Sequence, residues 1–185
     1  MATMKYAAAI VDELYRSVER IAAEEAEKLT ALILQSDKVF LAGAGRSGLI
    51  GRAFAMRLMH MGIDAYVVGE TVTPGIGSSD TLIIGSGSGE TASLVSMARK
   101  AKSVDASVAA VTIAPESTIG SLADMTVKLP GSPKDKAAGT YTTIQPMASL
   151  FEQTLLVFYD AVILAIMDKR GLDSGLMFGR HANLE

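Results

Sequence analysis

The stretch "VFLAGAGRSGLIGRAFAMRL", Val39 to Leu58, contains a literal G-x-G-x-x-G, Gly43-Ala44-Gly45-Arg46-Ser47-Gly48. A short apolar run precedes these glycines and a helical pattern follows them. Parallel sheets bind phosphate groups with this strand–loop–helix arrangement. The stretch therefore predicts an α/β protein whose first glycine loop, residues 43–48, faces a ligand. The rest of the chain decides between a dinucleotide and a smaller ligand.

Composition bounds the class of protein. The 185 residues are 49% hydrophobic, which suits one globular domain with a sizeable core. The formal net charge of −3 and the lack of a clustered basic face argue against a nucleic-acid partner. Cysteine is absent and only two histidines occur, His60 and His181, so we expect no disulfide, no thiol nucleophile and no metal site.

The two ends of the chain carry apolar segments that need an explanation. The N-terminal stretch is amphipathic and charged, unlike a signal peptide. The late run "LLVFYDAVILAIM" is interrupted by Asp160 and is shorter than a bilayer-spanning segment. We therefore predict no membrane association and a cytoplasmic location.

Apolar periodicity predicts the order of the elements. Residues from about 4 to 34 are predicted to form one long helix, and a second long helix is predicted from Pro146 onward. Short apolar runs predict five strands, in "KVFLAG", "DAYVVG", "TLIIG", "SVAAVTI" and "ADMTVKLP". Strands that alternate with helices and are apolar throughout indicate a parallel sheet covered on both faces. We predict a single domain over 1–185, a flavodoxin-like three-layer αβα sandwich with a five-stranded parallel sheet and a long N-terminal helix.

A second glycine loop, Gly85-Ser86-Gly87-Ser88-Gly89-Glu90-Thr91, also follows a predicted strand and precedes a helix. Its glycines allow close backbone approach, its hydroxyls add donors, and the helix N-terminus favours an anion. A flexible turn with Thr91 as an N-cap would look similar. The presence of two such loops at the carboxyl ends of strands favours a site for one compact phosphate.

A dinucleotide site is the competing interpretation of the first loop. Glu70 lies 22 residues after Gly48, where an acid that binds ribose would stand. However, a helix precedes the first strand, little chain remains for a substrate domain, and the hydroxyl-rich second loop has no role toward a pyrophosphate. We predict that no cofactor is bound and that Glu70 is a solvated loop acid.

Together these motifs resemble the sugar isomerase (SIS) domain family. The resemblance covers nearly the whole chain. It rests on the long leading helix, the "GAGRSG" loop, an S-x-S-G-E-T loop at 86–91, the "SLFEQ" helix at 149–153 and the terminal "RHANLE" at 180–185. The compact single-domain members of that family are the most similar. The resemblance implies an enzyme that interconverts D-arabino-3-hexulose 6-phosphate and fructose 6-phosphate through a 2,3-enediol(ate), in the ribulose monophosphate pathway of formaldehyde fixation.

Site residues follow from the resemblance position by position. It implies that the second loop holds the phosphate and that the first loop contacts the sugar or the phosphate. The substrate-binding set is Gly45, Arg46, Ser47, Ser86, Gly87, Ser88, Gly89 and Thr91. The catalytic set is Glu152, His60 and His181. No metal is implied.

Glu152 matches the carboxylate that the family uses for isomerisation. Its large apolar neighbours predict burial, and an unpaired buried carboxylate is costly enough to suggest function. The alternative is an exposed or salt-bridged acid on an outer helix face. Arg46 is a candidate donor to the enediolate oxygen, or else the partner of an acid at a subunit contact.

The histidines are candidates for moving protons between the two sugar oxygens. His60 ends the helix of the first loop, so we expect it to reach a site only across a subunit boundary. His181, in the tail, could cover a neighbour's pocket. The alternatives are a helix C-terminal residue that favours the dipole, for His60, and a solvated tail residue, for His181.

The apolar surface of the two long helices exceeds what a monomer of this size exposes, which predicts a homo-oligomer. The resemblance implies a homotetramer with sites near subunit interfaces and a phosphorylated ketohexose as substrate. Two alternatives within the fold remain: an isomerase of a pentose 5-phosphate, and a non-catalytic phosphosugar sensor. Such sensors usually carry a DNA-binding or regulatory segment, which is not seen in this sequence.

Overall fold

The computed structural model describes residues 2–132 and 142–184. Within these residues five strands form one sheet: β1 Val39–Gly43, β2 Ala65–Val67, β3 Thr81–Gly85, β4 Ser107–Thr112 and β5 Met125–Lys128. The helices are α1 Ala2–Val18, α2 Ala23–Gln35, α3 Gly45–His60, α4 Ala92–Lys102, α5 Thr118–Leu122, α6 Ser149–Arg170 and α7 Ser174–Phe178.

The strand order is β2-β1-β3-β4-β5, and every neighbouring pair is parallel. The chain therefore winds in one direction from β1 to β2 and in the other from β3 onward. In sheets of this order the ligand crevice opens beside the strands where the direction reverses, here β1 and β3. Gly43 and Gly85, the last residues of these two strands, pair in register, so both glycine loops leave the sheet at this crevice.

Alternate residues of each strand point to opposite faces and build two apolar cores. One face, with Leu41 and Ile83 among its members, packs against α2, α3 and α6. The other, with Phe40 and Ile84, packs against α4 and α5. The predicted three-layer αβα sandwich with a five-stranded parallel sheet is confirmed.

The predicted single N-terminal helix is wrong, because it is two helices with a break at 19–22. Ala22 has an extended backbone (φ −70°, ψ 117°) before α2 begins at Ala23. The first helix packs against α6, whereas the second packs against β5 and α6, so the chain has to change direction between them. Neither glycine nor proline marks this turn, and the apolar period continues through it.

The late helix α6 begins three residues after Pro146, at Ser149, and ends at Arg170, followed by the C-cap residue Gly171, whose φ is +62°. By length and composition the whole 22-residue helix, which is longer than the late apolar run itself, could cross a bilayer, with a mean hydropathy of 1.7. However, 56% of its most apolar window is buried inside the protein, and Phe158 and Tyr159 belong to the core. Packing of a core helix accounts for its apolar composition.

Two short segments remain to be described, residues 131–145 and the helix α5. Of residues 131–145, between β5 and α6, only 131–132 and 142–145 are among the described residues. The short helix α5 was not predicted. Its N-cap Ser117 accepts a hydrogen bond from the backbone N–H of Gly120.

Candidate active site

A cavity of about 360 Å³ opens at the carboxyl ends of β1 and β3. This volume lies within the range of roughly 300–1,000 Å³ that is usual for small-molecule sites. Three segments form most of its wall: the first glycine loop, the second glycine loop, and the start of α6. The lining residues from these segments are Ala44, Gly45, Ser47, Gly85, Ser86, Gly87, Ser88, Thr91, Ala148, Phe151 and Glu152.

The second loop is held in shape by its own hydroxyl groups. Ser86 is only 6% exposed, and its Oγ accepts a hydrogen bond from the backbone N–H of Gly89 at 3.2 Å. Ser88 Oγ accepts from the N–H of Glu90 at 3.3 Å. Each hydroxyl oxygen that accepts in this way still has its own proton to donate. The loop can therefore offer hydroxyl donors to an anion in the cavity.

Thr91 is the N-cap residue of α4, but its side chain makes no capping hydrogen bond. The first N–H groups of a helix have no partner within the helix and carry partial positive charge. Since Thr91 lines the cavity, its hydroxyl and the uncapped start of α4 are available to a ligand there. This arrangement suits a phosphate dianion.

Close packing explains the glycines of the first loop without a dinucleotide. A Cβ on Gly48 would lie 2.6 Å from the carbonyl oxygen of Gly43, so the start of α3 sits directly on the end of β1. Gly45 has a φ of +58°, which glycine adopts without strain. The backbone then turns so that Ser47, in the first turn of α3, faces the cavity.

Glu152 forms the opposite wall and is 7% exposed. Arg46, in the first turn of α3, donates from Nη1 to Glu152 Oε2 at 3.0 Å and to Ser149 Oγ at 3.1 Å. The carboxylate is thus both buried and paired, and the expectation that it is unpaired is wrong. The pairing stays within one chain, whereas a subunit contact was the alternative proposed for the guanidinium.

The turn that leads into α6 has an unusual backbone. Met147 and Ala148 both have positive φ, 55° and 64°, although neither is glycine. Residues in this region cost of order 1–3 kcal/mol each and persist where surrounding structure holds them. Ala148 lines the cavity, and its carbonyl accepts from the N–H of Glu152. The strained turn therefore fixes where the carboxylate stands.

Comparison with known proteins identifies a family and relatives for this chain. The SIS domain family matches residues 32–157, more than half of the chain. This chain belongs to the SIS domain family. The 3-hexulose-6-phosphate isomerase of Bacillus subtilis (strain 168) is 60% identical over 185 residues, covering 100% of both chains. The protein of the same name from Mycobacterium gastri is 41% identical over 174 residues, covering 94% of this chain and 87% of that one.

A solved structure shares both fold and sequence with this SIS domain. It is a protein of Methanococcus jannaschii, and its crystal structure is described as inferring a function of 3-hexulose-6-phosphate isomerase. It superposes with a TM-score of 0.83 at 34% identity and covers 98% of this chain and 99% of that one.

The two histidines of this SIS domain meet each other away from the cavity of their own chain. His60 and His181 stack with ring centroids 5.4 Å apart. His60 ends α3, a helix of 16 residues, so it lies about 22 Å along the helix from Gly45, at a rise of about 1.5 Å per residue. The expectation that His60 does not reach the site of its own chain agrees with this position.

His60 is 3% exposed and has a cationic neighbourhood. Burial lowers the pKa of His60 below its ordinary value, and the charges of Arg57 and His181 lower it further. Arg57 Nη1 lies 3.4 Å from His60 Nδ1, and Arg180 Nη1 donates to the His60 carbonyl at 3.4 Å. The ring is thereby kept neutral, a state that can both accept and donate a proton.

Two acids near the loops have structural roles. Glu70 pairs with Arg52 on the exposed side of α3, so it is engaged as a surface ion pair. Glu90 Oε1 accepts from the backbone N–H of Thr118 at 2.7 Å, and this hydrogen bond holds the pKa of Glu90 below its ordinary value. It thereby joins the second loop to the start of α5.

Sequence reasoning missed part of the cavity wall. Ala148 and Phe151 lie beside the carboxylate, and Leu94 and Ile113 close the apolar side. The i, i+3 spacing of Ser149 and Glu152 on one predicted helix was the available signal for this wall. Across 2–132 and 142–184, no group of three or more His, Cys, Asp or Glu side chains is arranged to hold a metal ion.

Proposed function

We propose that this SIS domain is a 3-hexulose-6-phosphate isomerase, also called 6-phospho-3-hexuloisomerase. It would interconvert D-arabino-3-hexulose 6-phosphate and fructose 6-phosphate through a 2,3-enediol(ate), in the ribulose monophosphate pathway of formaldehyde fixation. The 60% identity over the full length of the Bacillus subtilis enzyme of that name supports this assignment.

One structural observation carries the proposal. Glu152 and the hydroxyl-rich second loop line the same cavity, on different walls. An isomerase that acts on a sugar phosphate needs an anion site at one end of the ligand and a proton-transfer group at the other.

The second loop would bind the phosphate. The donors that we assign are the hydroxyl protons of Ser86, Ser88 and Thr91, the backbone N–H group of Gly87 and the positive end of α4. Ser47 and Gly45 of the first loop would contact the sugar chain. This set anchors C6 and leaves C2 and C3 to extend toward α6.

Glu152 would be the base. In the direction of fructose 6-phosphate its carboxylate removes the proton from C2, giving the 2,3-enediol(ate), and returns a proton to C3. The hydroxyl proton on O2 must leave and O3 must gain one, so that the carbonyl ends at C2. Arg46 already donates to Glu152, and we propose that its guanidinium also donates to the developing negative oxygen of the intermediate.

The two histidines would act from a neighbouring subunit. A 3-ketose phosphorylated on O6 cannot close a five-membered ring, so it arrives open and needs no ring-opening group. Since ring opening is not needed, we assign to His60 and His181 the transfer of protons between the sugar oxygens O2 and O3. Neither lies in the cavity of its own chain, so we propose a homotetramer whose sites lie near subunit interfaces.

Exposed apolar side chains support association. Met4, Val11 and Tyr15 of α1 and Leu164 of α6 are between 64% and 72% exposed. Surfaces of this kind on a small domain usually mark a contact with another chain. We further propose that 1–185 form one SIS domain, that it acts in the cytoplasm, and that it needs no cofactor, metal, nucleic acid or membrane.

The test supplies D-arabino-3-hexulose 6-phosphate and follows formation of fructose 6-phosphate. Glu152→Gln should reduce kcat by roughly 10²–10⁴-fold, since general-base catalysis contributes about that much. Glu70→Gln, which removes an exposed acid from an ion pair, is the matched control and should leave kcat unchanged. Conversion of a pentose 5-phosphate in preference to the hexulose would overturn the substrate assignment.

A mixing experiment tests the shared site. Glu152→Gln and His60→Gln proteins are each purified, then unfolded and refolded together. If one subunit supplies Glu152 and another His60, a fraction of mixed sites regains both groups, and activity exceeds the sum of the separate proteins. Activity equal to that sum means that the groups do not share a site across subunits.

A further inference from the structure

The carboxylate of Glu13 accepts hydrogen bonds from three consecutive residues of a distant segment. Thr143 donates from Oγ1 at 2.7 Å, Ile144 from its backbone N–H at 2.9 Å and Gln145 from Nε2 at 2.9 Å. Glu13 lies on α1, 130 or more positions away from these donors, and is only 7% exposed. A buried carboxylate with three donors is a strong local anchor.

The electrostatics of Glu13 agree with this geometry. Burial alone would raise the pKa of Glu13, but the hydrogen bonds from Gln145, Ile144 and Thr143 outweigh it and hold the pKa below its ordinary value. The side chain is therefore an anion at neutral pH. Gln145 is 4% exposed, so the anchored segment is itself buried at this point.

This anchored segment leads directly into the proposed site. Pro146 follows Gln145, and its carbonyl accepts from the N–H of Ser149. Between them, Met147 and Ala148 have the positive φ values described above. The next turn of helix carries Glu152, whose side chain Arg46 holds.

The strained turn needs restraint from both sides. On its C-terminal side, α6 is fixed by the apolar core. On its N-terminal side, the hydrogen bonds to Glu13 join residues 143–145 to another element. Two left-handed residues persist only where neighbouring structure over-determines them. Without the anchor, the turn can relax toward ordinary φ values and shift the first turn of α6.

We propose that Glu13 is a positioning residue for the isomerase reaction: by fixing residues 143–145 it sets the strained turn that places Ser149 and Glu152 at the cavity. The proposal rests on the proposed function, because that function supplies the reaction for which Glu13 positions the catalytic group. The side-chain hydrogen bonds of Glu13 go to residues 143–145, none of which lines the cavity, so Glu13 acts through the segment that it holds.

The expected kinetic signature separates positioning from binding. The proposed phosphate donors lie in the loop between β3 and α4, whereas the side-chain hydrogen bonds of Glu13 go to residues 143–145, so substrate binding should persist when Glu13 is changed. Misplacement of a catalytic group by about 1 Å can lower turnover about 100-fold. In Glu13→Ala we expect kcat to fall about 100-fold while KM changes by about twofold or less. Glu13→Gln, which keeps the side-chain length and one acceptor oxygen, should lie between Glu13→Ala and wild type.

The matched control is Asp12→Asn. Asp12 precedes Glu13 on α1, is exposed, and pairs with Arg16 at 3.0 Å. The substitution therefore removes an acid from the same helix and leaves the hydrogen bonds to residues 143–145 in place. All three variants are assayed at a temperature where urea unfolding shows each to be fully folded. Asp12→Asn should keep the wild-type kcat.

Amide hydrogen exchange gives a readout that does not need activity. Peptides over 143–152 should exchange faster in Glu13→Ala than in wild type, because the Ile144 N–H loses its acceptor, while peptides over 86–95 should not change. An unchanged exchange rate over 143–152, an unchanged kcat in Glu13→Ala, or an equal kcat loss in Asp12→Asn would each overturn the proposal. If the wild-type protein does not isomerise the hexulose phosphate, the proposed function fails, and the exchange comparison still decides whether Glu13 holds the segment.

Discussion

Arg46 and Glu152, 106 positions apart in the sequence, form an ion pair with Nη1 3.0 Å from Oε2, and Glu152 lines the cavity. The guanidinium is about half exposed to solvent, whereas the carboxylate is buried. Both residues belong to the predicted site, so we expect substrate binding and proton transfer to meet at this pair.

The first prediction concerns the guanidinium itself. If Arg46 donates to the developing negative oxygen, Arg46→Gln should lower kcat by roughly 10²–10³-fold, the loss of about 2.7–4 kcal/mol that is typical of one such donor. Steady-state kinetics with the hexulose phosphate measure this. Arg52→Gln, which breaks the exposed pair with Glu70 on the same helix, is the control and should be neutral. A kcat equal to or above that of wild type in Arg46→Gln would mean that the guanidinium only restrains Glu152.

The second prediction concerns the anion site. Thr91→Val keeps the shape of the N-cap residue and removes only the hydroxyl, which makes no capping bond. A hydrogen bond to a charged group contributes about 1.5–3 kcal/mol, so KM should rise roughly 10- to 150-fold while kcat changes little. Inorganic phosphate should protect the wild-type protein against heat more than this variant. Ser103→Ala, at the opposite end of α4, should bind as wild type does, and equal KM values for both variants would place the phosphate elsewhere.

A third prediction compares two glycines with nearly the same backbone. Gly89 and Gly171 have φ of +64° and +62°, but a Cβ on Gly89 would lie 1.8 Å from Ser117 Oγ, whereas one on Gly171 meets no atom of the described residues within 4 Å. Gly171→Ala should cost only the left-handed penalty of about 1–2 kcal/mol. Gly89→Ala should cost roughly 1–3 kcal/mol more through overpacking. Urea unfolding gives both values, and equal losses would show that the contact with Ser117 is easily relieved.

A fourth prediction concerns pH. The pKa of His60 is lowered in the folded protein from its ordinary value of 6.5. Below about pH 6.5 the unfolded chain therefore binds a proton on this ring more readily than the folded protein does. The contribution of His60 to stability is complete above about pH 6.5 and is lost as pH falls toward its folded-state pKa. The free energy of unfolding should therefore decline over this interval in wild type and decline less in His60→Gln.

Magnetic resonance checks the titration directly. His181→Gln leaves His60 as the one histidine of the sequence, and its ring protons should titrate below pH 6.5. Adding Arg57→Gln removes one of the charges that lower the pKa, so the midpoint should then move upward. A midpoint at or above 6.5 in His181→Gln would contradict the burial of this ring.

Local sequence determined the fold class and the two glycine loops of the candidate site. Strands, helices and glycine loops are specified by residues that are close in sequence, through apolar period and turn chemistry. The parallel sheet, the two loops at its crevice and the position of Thr91 before α4 followed from these signals. The roles of the loop residues toward a phosphate remain predictions.

Tertiary structure decided what depends on residues far apart. The break between α1 and α2, the start of α6 at Ser149 and the strained turn before it have no marker in the local pattern, because packing against other elements imposes them. The partners of Glu152 and Glu13 lie more than 100 positions away, and period and spacing carry no information about such pairs. The sequence by itself determined which chemical groups the site could contain; only the folded chain decided which of them face one another, because long-range packing sets those distances.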